Sequence, residues 1–296
     1  MYESAPLPIP GNGEVLIAVH AAAITFDELT WPETWASGDT DRTPVIPSHE
    51  FSGVVAEIGH GVTGFSAGDE VYGLVPFDRD GAAAEYVSLP AGCVTGRPRT
   101  ASHVVAAAAV LPALTAWEAV VEHAAVQPGH RVMVHGGAGG VGSFLTQLAA
   151  ALGADVTCTV HTASDVGHVL ALGADRAINT EQEPLDAETG AYDVVIDATG
   201  RDVPEALFAA LRRNGRLITL QEPPSQEMAD KHGVTALFFI VTPEQHRLTW
   251  IANMIDTGAL KVSVAATFPL AEGRAAYKSG ATRRRHRGKT VLIVRD

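Results

Sequence analysis

The chain has 296 residues, of which 46% are hydrophobic, and this is enough for two domains with sizeable cores. Its 34 acidic and 21 basic side chains give a formal net charge of −13, so neither nucleic acid nor an anionic membrane is an expected partner. The 2 cysteines exclude a disulfide framework and a four-cysteine zinc lobe, and they favour a reducing, cytoplasmic location.

The first third of the chain predicts a mostly β domain. Alternating or apolar runs predict strands at 14–22, 51–58, 69–74 and 82–89, and the glycines between them space the strands as in a compact, partly closed barrel. A loop is predicted over 90–98. We expect no secretory signal at the N-terminus.

From residue 102 the pattern changes to alternating helices and strands, which predicts a parallel, doubly wound sheet. The most apolar stretch, 104–117, is too short for a membrane span and contains Pro112. The tail after residue 243 is α+β and is expected to return to the first domain. Helices are predicted at 101–110, 114–124, 143–152, 164–172, 204–212, 243–257 and 270–279, and strands at 131–135, 155–160, 191–198, 216–220, 237–241, around 262–268, and at 290–294.

The predicted fold class is therefore α/β. A mostly β domain over 1–112 is completed by a return segment over 244–296, and a doubly wound domain over 113–243 interrupts it.

A glycine-rich turn after the predicted strand 131–135 indicates a dinucleotide site. Its first glycine permits a tight turn, its second lets a pyrophosphate approach the backbone, and its third lets the following helix pack closely. The N–H groups at the start of that helix then hold phosphates. A loop that only packs is the alternative. The predicted cofactor-binding residues are Gly137, Ala138, Gly139, Gly140, Val141 and Gly142.

The end of the second strand of that domain bears on which dinucleotide binds. Residues 159–164 carry no carboxylate to hold an adenosine ribose, so NADPH is favoured over NADH, with His161 and Thr162 as predicted ligands. Asp165 is an alternative ribose partner. No Arg or Lys lies between Arg131 and Arg176, and the basic run 283–289 either folds back over the adenosine or is a solvated turn.

Several motifs together resemble the medium-chain dehydrogenase/reductase superfamily, in its zinc-independent quinone oxidoreductase branch, across essentially the whole chain. This resemblance implies a GroES-like catalytic domain interrupted by a Rossmann domain, with NADPH in the cleft between them. It also implies hydride transfer to a quinone, enone or related carbonyl compound. The motifs are PSHEFSGVV (47–55), GFSAGDEVYG (64–73), LTAW (114–117), GGAGGVG (136–142), LGAD (172–175), DVVID (193–197) and GK (288–289).

The resemblance also allows a test for catalytic zinc, which requires three protein ligands. His49 stands where the family has a histidine ligand, but the other ligand positions, in 24–27 and near 111–114, contain no thiol. No metal is therefore expected. His49 and Glu50 are predicted to form a buried hydrogen-bonded pair, and Cys93 and Cys158 to be packed thiols.

Positions near the nicotinamide follow from the resemblance as well. Thr115 matches a threonine beside the nicotinamide, with a helix-face threonine as the alternative. Thr25 stands where relatives often have asparagine, and we predict a catalytic role for both threonines. The backbone of Phe239, Ile240 and Val241 is expected to meet the carboxamide, although this run is equally typical of a buried strand. Lys289 is a further predicted cofactor ligand.

The substrate pocket is predicted in the loop 26–35, with Phe26, Trp31, Trp35 and Tyr72 as its lining. The two tryptophans either stack on a planar acceptor or staple the loop to the core. The chain begins after the family's usual first strand, and strand 237–241 offers a contact across a two-fold axis, so a homodimer is expected. An alternative function is a non-redox tailoring step, such as cyclisation or dehydration, or ligand binding alone.

Overall fold

A computed structural model describes residues 3–200, 203–280 and 287–295 of the chain. The described residues fall into two compact units. Residues of 1–114, 242–258 and 262–296 form the first unit, and residues of 115–241 with 259–261 form the second. Residues 283–286 of the basic run lie outside the described residues, so its contact with an adenosine stays a prediction.

The first unit is built around one long, almost fully buried strand, β1 (Glu14–Ile24). Its first half pairs with β6 and its second half with β15, while β4 runs along its other edge. The strand order is β14-β15-β1-β4-β5-β7, and only β14 and β15 pair in parallel. The other strands of this unit are β2 (Ala36–Ser37), β3 (Thr40–Asp41), β4 (Glu50–Ile58), β5 (Glu70–Leu74), β6 (Tyr86–Pro90), β7 (Val94–Gly96), β14 (Val264–Pro269) and β15 (Lys289–Ile293).

The second unit is a parallel sheet in the strand order β10-β9-β8-β11-β12-β13, which confirms the predicted doubly wound fold. Strand β10 was not predicted, because only four residues separate its flanking turns. The strands are β8 (Arg131–His135), β9 (Asp155–Val160), β10 (Arg176–Asn179), β11 (Tyr192–Asp197), β12 (Leu211–Thr219) and β13 (Thr235–Phe238).

Helices complete both units. The boundary between the units falls within α2, after Leu114, so the first unit contains α1, α7, α8 and most of α2, and the second contains α3 to α6. The helices are α1 (Pro32–Trp35), α2 (His103–Trp117), α3 (Gly140–Ala151), α4 (Ala163–Ala171), α5 (Glu205–Ala210), α6 (Gln226–His232), α7 (Gln245–Asp256) and α8 (Gly273–Ser279).

The predicted break between two helices at 110–114 is wrong. Helix α2 passes through Pro112 and continues as a π-helical segment, Glu118–His123. The N–H of Leu111, next to the proline, donates to the Glu50 carboxylate at 2.9 Å. The combined helix has 21 residues, and its most apolar window has a mean hydropathy of 1.9. By length and composition it could therefore cross a membrane, contrary to the prediction that this stretch is too short. Since 67% of its most apolar window is buried, it is typical of a core helix.

Two predictions in the first unit and one in the second are wrong at their boundaries. Residues 82–85 form bends rather than strand, because pairing with β1 begins only at Tyr86. The predicted loop 90–98 contains β7, which gains its hydrogen bonds from β5. The last strand of the second unit ends at Phe238 instead of Val241.

Candidate active-site residues

The glycine-rich turn connects β8 to α3 and has one exposed glycine between two buried ones. A side chain on Gly137 would lie 2.7 Å from Cys158 on β9, and one on Gly142 would overlap the Gly136 carbonyl oxygen. Gly139 is exposed, and a Cβ there would meet only the Gly136 oxygen, at 3.3 Å. Gly137 and Gly142 are therefore needed to build the turn, whereas Gly139 leaves its outer face open.

Backbone hydrogen bonds hold this turn in place. The N–H of Gly139 donates to the Gly136 carbonyl at 3.0 Å, and the N–H of Gly137 donates to the Thr159 carbonyl of β9 at 3.0 Å. Helix α3 begins at Gly140, and the first N–H groups of an α-helix have no partner within the helix. These groups and the positive end of the helix dipole suit a phosphate.

The end of β9 carries the residues predicted to meet the adenosine. Thr162 is the N-cap of α4, and its hydroxyl lies 2.8 Å from both the Ser164 hydroxyl and the Asp165 carboxylate. His161 is 81% exposed, and its Nε2 lies 3.5 Å from the Glu181 carboxylate. Glu181 was missed by sequence reasoning, because it follows the unpredicted strand β10. The site therefore combines hydroxyls and an imidazole with two carboxylates.

The remaining predicted residues of the second unit lie on α2 and beyond β13. Thr115 is half-buried on α2. Phe239 and Ile240 follow the end of β13, so the prediction of a buried strand there is wrong, and Ile240 is 58% exposed. The Phe239 ring contacts the His123 ring, with centroids 4.4 Å apart. Val241 is buried. Contact of this backbone with a carboxamide stays a prediction.

In the first unit, five polar side chains distant in sequence meet in what we call the Lys289 cluster: Thr25, Glu28, Glu50, Tyr277 and Lys289. The register of the sheet creates it, because β1 lies between β4 and β15, with Ala23 opposite Glu50 and Ile24 opposite Thr290. The Lys289 ammonium lies 2.5 Å from the Glu50 carboxylate and donates to the Thr25 hydroxyl at 2.8 Å. The Thr25 hydroxyl also donates to Glu50 at 3.3 Å.

Glu28 is the second buried carboxyl group of the cluster. It accepts hydrogen bonds from the Tyr277 hydroxyl and, at 3.1 Å, from the Ser48 N–H. Burial raises the pKa of Glu28 from 4.5 to about 7, although Tyr277 and Lys289 oppose the shift. Burial also raises the pKa of Glu50, against the effect of Lys289. The cluster thus holds two carboxyl groups and one ammonium largely out of water. Each carboxyl group retains its proton to a higher pH here than in solvent.

The predicted hydrogen-bonded pair of His49 and Glu50 is wrong. Both residues are buried, but His49 immediately precedes β4, and the two side chains have different partners. The Nδ1 of His49 lies 3.2 Å from the Val75 carbonyl, while Glu50 contacts Lys289. Burial lowers the pKa of His49 to about 4, so its imidazole is neutral.

A catalytic zinc ion does not fit the side chains near His49. No group of three histidine, cysteine, aspartate or glutamate side chains suited to a metal occurs in the described part of the chain. The carboxylate next to His49 in sequence already faces an ammonium group. Cys93 and Cys158 are buried free thiols, and burial raises the pKa of both, to about 11 for Cys158.

Of the four aromatic residues predicted to line the substrate pocket, Trp31 is half-buried and Trp35 is exposed, whereas Phe26 and Tyr72 serve packing. The Trp31 ring meets the edge of Phe77 at a centroid distance of 5.6 Å, and Phe77 in turn contacts His49 at 5.0 Å. Trp35 is 41% exposed and donates from Nε1 to the Leu29 carbonyl at 2.9 Å. Phe77 is an aromatic residue that sequence reasoning missed.

Phe26 and Tyr72 are the packing residues. Phe26 packs against the core of the first unit and lies directly over Gly280. Tyr72 is completely buried, and its hydroxyl donates to the Leu248 carbonyl at 2.6 Å. The prediction that Tyr72 lines a substrate pocket is therefore wrong, because this position of β5 faces the core.

Comparisons with known proteins agree with this architecture. Residues 11–99 match the family model of the alcohol dehydrogenase GroES-like domain, and residues 172–292 match that of the zinc-binding dehydrogenase. The chain is 27% identical to a probable zinc-binding mitochondrial oxidoreductase of Arthroderma benhamiae, over 99% of this chain and 92% of that protein.

Solved structures give the same result. The quinone oxidoreductase from Coxiella burnetii is 28% identical and superposes with a TM-score of 0.88, covering 98% of this chain and 93% of its own. The mycobacterial protein Rv1454c, solved in complex with NADPH, is 28% identical with a TM-score of 0.84, covering 99% and 94% of the two chains.

Proposed function

Because the chain belongs to the medium-chain dehydrogenase/reductase superfamily and to its quinone oxidoreductase-like branch, we propose that it is a zinc-independent, NADPH-dependent oxidoreductase. Its substrate is a small molecule, a quinone, enone or related activated carbonyl compound, which accepts a hydride.

The observation that carries this proposal is the open outer face of the glycine turn. Gly137 and Gly142 hold the turn against β9 and against itself, while the exposed Gly139 and the first N–H groups of α3 remain on its surface. Backbone N–H groups around a phosphate supply recognition without a basic side chain. A reduced nicotinamide dinucleotide held there supplies a hydride.

Preference for NADPH is supported by the composition of the end of β9. Residues 161–164 contain no carboxylate, and the nearest one, Asp165, already accepts a hydrogen bond from Thr162. Hydroxyl groups and the exposed His161 are donors suited to a 2′-phosphate. Glu181 opposes this preference, since its carboxylate lies beside His161.

The absence of a fitting metal site among the described residues supports chemistry on an acceptor that needs no Lewis acid. Quinones and enones are already electrophilic, so the main tasks of the protein are to position the two reactants and to donate hydrogen bonds. Orientation of two reactants is worth on the order of 7–11 kcal/mol of the barrier. Thr25 and Thr115 provide hydroxyl groups for this purpose, and Trp31 with Phe77 provides an aromatic surface.

The proposal includes a homodimer in the cytoplasm. Strand β13 is the last strand of the parallel sheet in the described chain, and its outer edge offers backbone hydrogen bonds to a second copy. Ile240, 58% exposed, follows this strand directly. Sedimentation at micromolar concentration tests the assembly, and a monomer would contradict it.

A fluorescence titration with NADPH and NADH, followed by 1,4-benzoquinone and by an α,β-unsaturated ketone, tests the function. We expect tighter binding of NADPH and enzyme-dependent loss of its absorbance, after correction for the spontaneous reaction. Binding without oxidation would favour the non-redox alternative, and no binding by wild-type protein would overturn the proposal. Metal analysis of the purified, active protein tests its independence of zinc.

A further inference from the structure

In the Lys289 cluster, an ammonium group donates a hydrogen bond to the half-buried hydroxyl of Thr25. We propose that Lys289 supplies the proton that completes reduction of the acceptor, and that the Thr25 hydroxyl passes it on. This inference rests on the proposed function and names the proton path of that same site, with Thr25 as the residue that contacts the acceptor.

Two of the three groups on this path are partly exposed. The Glu50 side chain is 2% exposed and that of Lys289 is 12% exposed, and Thr25, like Lys289, is half-buried. An acceptor molecule can therefore reach the Thr25 hydroxyl, which is hydrogen-bonded to both the ammonium and Glu50. At 2.8 Å, the contact from Lys289 to Thr25 is a normal hydrogen bond in the direction that the transfer requires.

The Thr25 hydroxyl is also able to turn towards an acceptor. Its contact with Glu50, at 3.3 Å, is the longer of its two hydrogen bonds. Glu50 retains the Lys289 ammonium at 2.5 Å and the Leu111 N–H at 2.9 Å when that contact is lost. The carboxylate therefore stays satisfied while the hydroxyl donates elsewhere.

The transfer balances without an additional reactant. Addition of hydride to the acceptor leaves an anion that must take up one proton. The O–H bond of Thr25 breaks and its proton bonds to that anion, while an N–H bond of Lys289 breaks and its proton bonds to the Thr25 oxygen. The neutral amine of Lys289 then regains a proton from water, which reaches its 12% exposed side chain.

Glu28 is a positioning residue that sets the charge around this path. The groups that act on it are Tyr277, Lys289, Glu50 and the Ser48 N–H. When Glu28 is protonated, ionised Glu50 and Lys289 balance each other. When it ionises, the additional negative charge holds the ammonium proton more tightly. Because the pKa of Glu28 is raised to about 7, turnover should fall as the pH rises through neutrality.

The test is chemical rescue of Lys289→Ala, with an enone as acceptor. We expect kcat to fall on the order of 100-fold, the usual contribution of a positioned acid, with NADPH affinity retained. Methylammonium should restore part of the rate, whereas tetramethylammonium, which has the same charge and no N–H, should not. Lys231→Ala, on the exposed surface of α6, is the matched control and should behave as wild type.

Further variants keep the test decisive if Lys289→Ala does not fold. Thr25→Val keeps the ion pair of Lys289 and Glu50 and should lose a similar factor in kcat, while Thr25→Ser should regain most of it. Glu28→Gln should remove the decline in kcat at neutral pH. In the protein without cofactor, infrared difference spectra should show a carboxyl band that titrates near neutrality in wild type and is missing from Glu28→Gln.

The possible failures are distinguishable. Full turnover in Lys289→Ala, or equal rescue by both ammonium ions, would overturn the inference alone. Unchanged kcat with weakened NADPH binding would instead assign Lys289 to the cofactor. A wild-type protein that oxidises no NADPH with any acceptor of the class would overturn the proposed function, and this inference with it.

Discussion

The glycine turn of the second unit and the Lys289 cluster of the first solve opposite physical problems. The turn contains no charged side chain, and the residues at its centre are small, so that a charged ligand can approach the backbone. The cluster brings three ionisable side chains and two hydroxyls together away from water. The first N–H groups of α3 remain for a ligand at the turn, whereas the cluster satisfies its polar groups internally.

This difference shows where each region is vulnerable. A turn made of glycines is sensitive to added volume, because a Cβ at either buried glycine would overlap neighbouring atoms. A buried ionic cluster is sensitive to the loss of one partner, because the remaining charge stays out of water. Four predictions test this contrast, in order of decreasing effect on stability or binding.

Removal of the ammonium should have the largest effect. Lys289→Met leaves Glu50 buried without its counter-charge, which should lower the free energy of unfolding by about 3–5 kcal/mol in urea denaturation at pH 7. The double variant Glu50→Gln with Lys289→Met should recover most of the loss. The exposed pair of Lys231 and Glu205 gives the control, since Lys231→Met should cost less than about 1 kcal/mol. Equal effects at the two sites would contradict the contrast.

The protonation of Glu28 should make stability depend on pH. Its pKa is raised from 4.5 to about 7 in the folded state, so the folded protein keeps a proton that the unfolded chain loses in this range. The contribution of Glu28 to the free energy of unfolding is therefore fully present below pH 4.5. It falls by about 3 kcal/mol as the pH rises to 7. The measurement is the difference between wild type and Glu28→Gln in urea unfolding. Parallel pH profiles for the two proteins would show that Glu28 does not titrate there.

Alanine substitutions in the glycine turn should distinguish the glycine that the fold requires from the glycine that ligand binding requires. Gly142→Ala should destabilise the protein by about 1–3 kcal/mol, because its Cβ overlaps backbone. Gly139→Ala should change stability by less than about 0.5 kcal/mol and still weaken NADPH binding at least about tenfold. Gly167→Ala, an open helical site on α4, is the control and should leave binding unchanged. Retained NADPH affinity in Gly139→Ala would refute the phosphate site.

The smallest effect is expected at the exposed ion pair of His161 and Glu181. Glu181→Gln should leave the free energy of unfolding within about 0.5 kcal/mol of the wild-type value, since both groups are exposed. Removing this negative charge should raise the affinity for NADPH relative to NADH about two- to fivefold, less so at high salt. Glu183→Gln, also exposed and paired with Arg176, controls for net charge. An unchanged ratio would place the 2′-phosphate away from Glu181.

The second unit was largely predictable. In the first unit the longer strands and the helices α7 and α8 were predicted, whereas the short strands β2, β3 and β7 were not. Strands β8 and β9 and the turn between β8 and α3 follow from patterns within a few residues of one another. Strand β10 was missed because it is short, and Glu181 was missed with it. Tyr72 was misassigned because the strand pattern around it does not reveal which face meets the core.

The sequence by itself determined the order of β and βαβ segments, the family resemblance and the glycine turn, since each depends on local periodicity or on the steric demands of neighbouring residues. Tertiary structure alone decided the Lys289 cluster. Lys289 and Thr25 are 264 positions apart, and Tyr277 and Glu28 are 249 apart. They meet because β1 pairs with β4 on one edge and β15 on the other. The charge state of the cluster depends on burial, which only the folded chain creates.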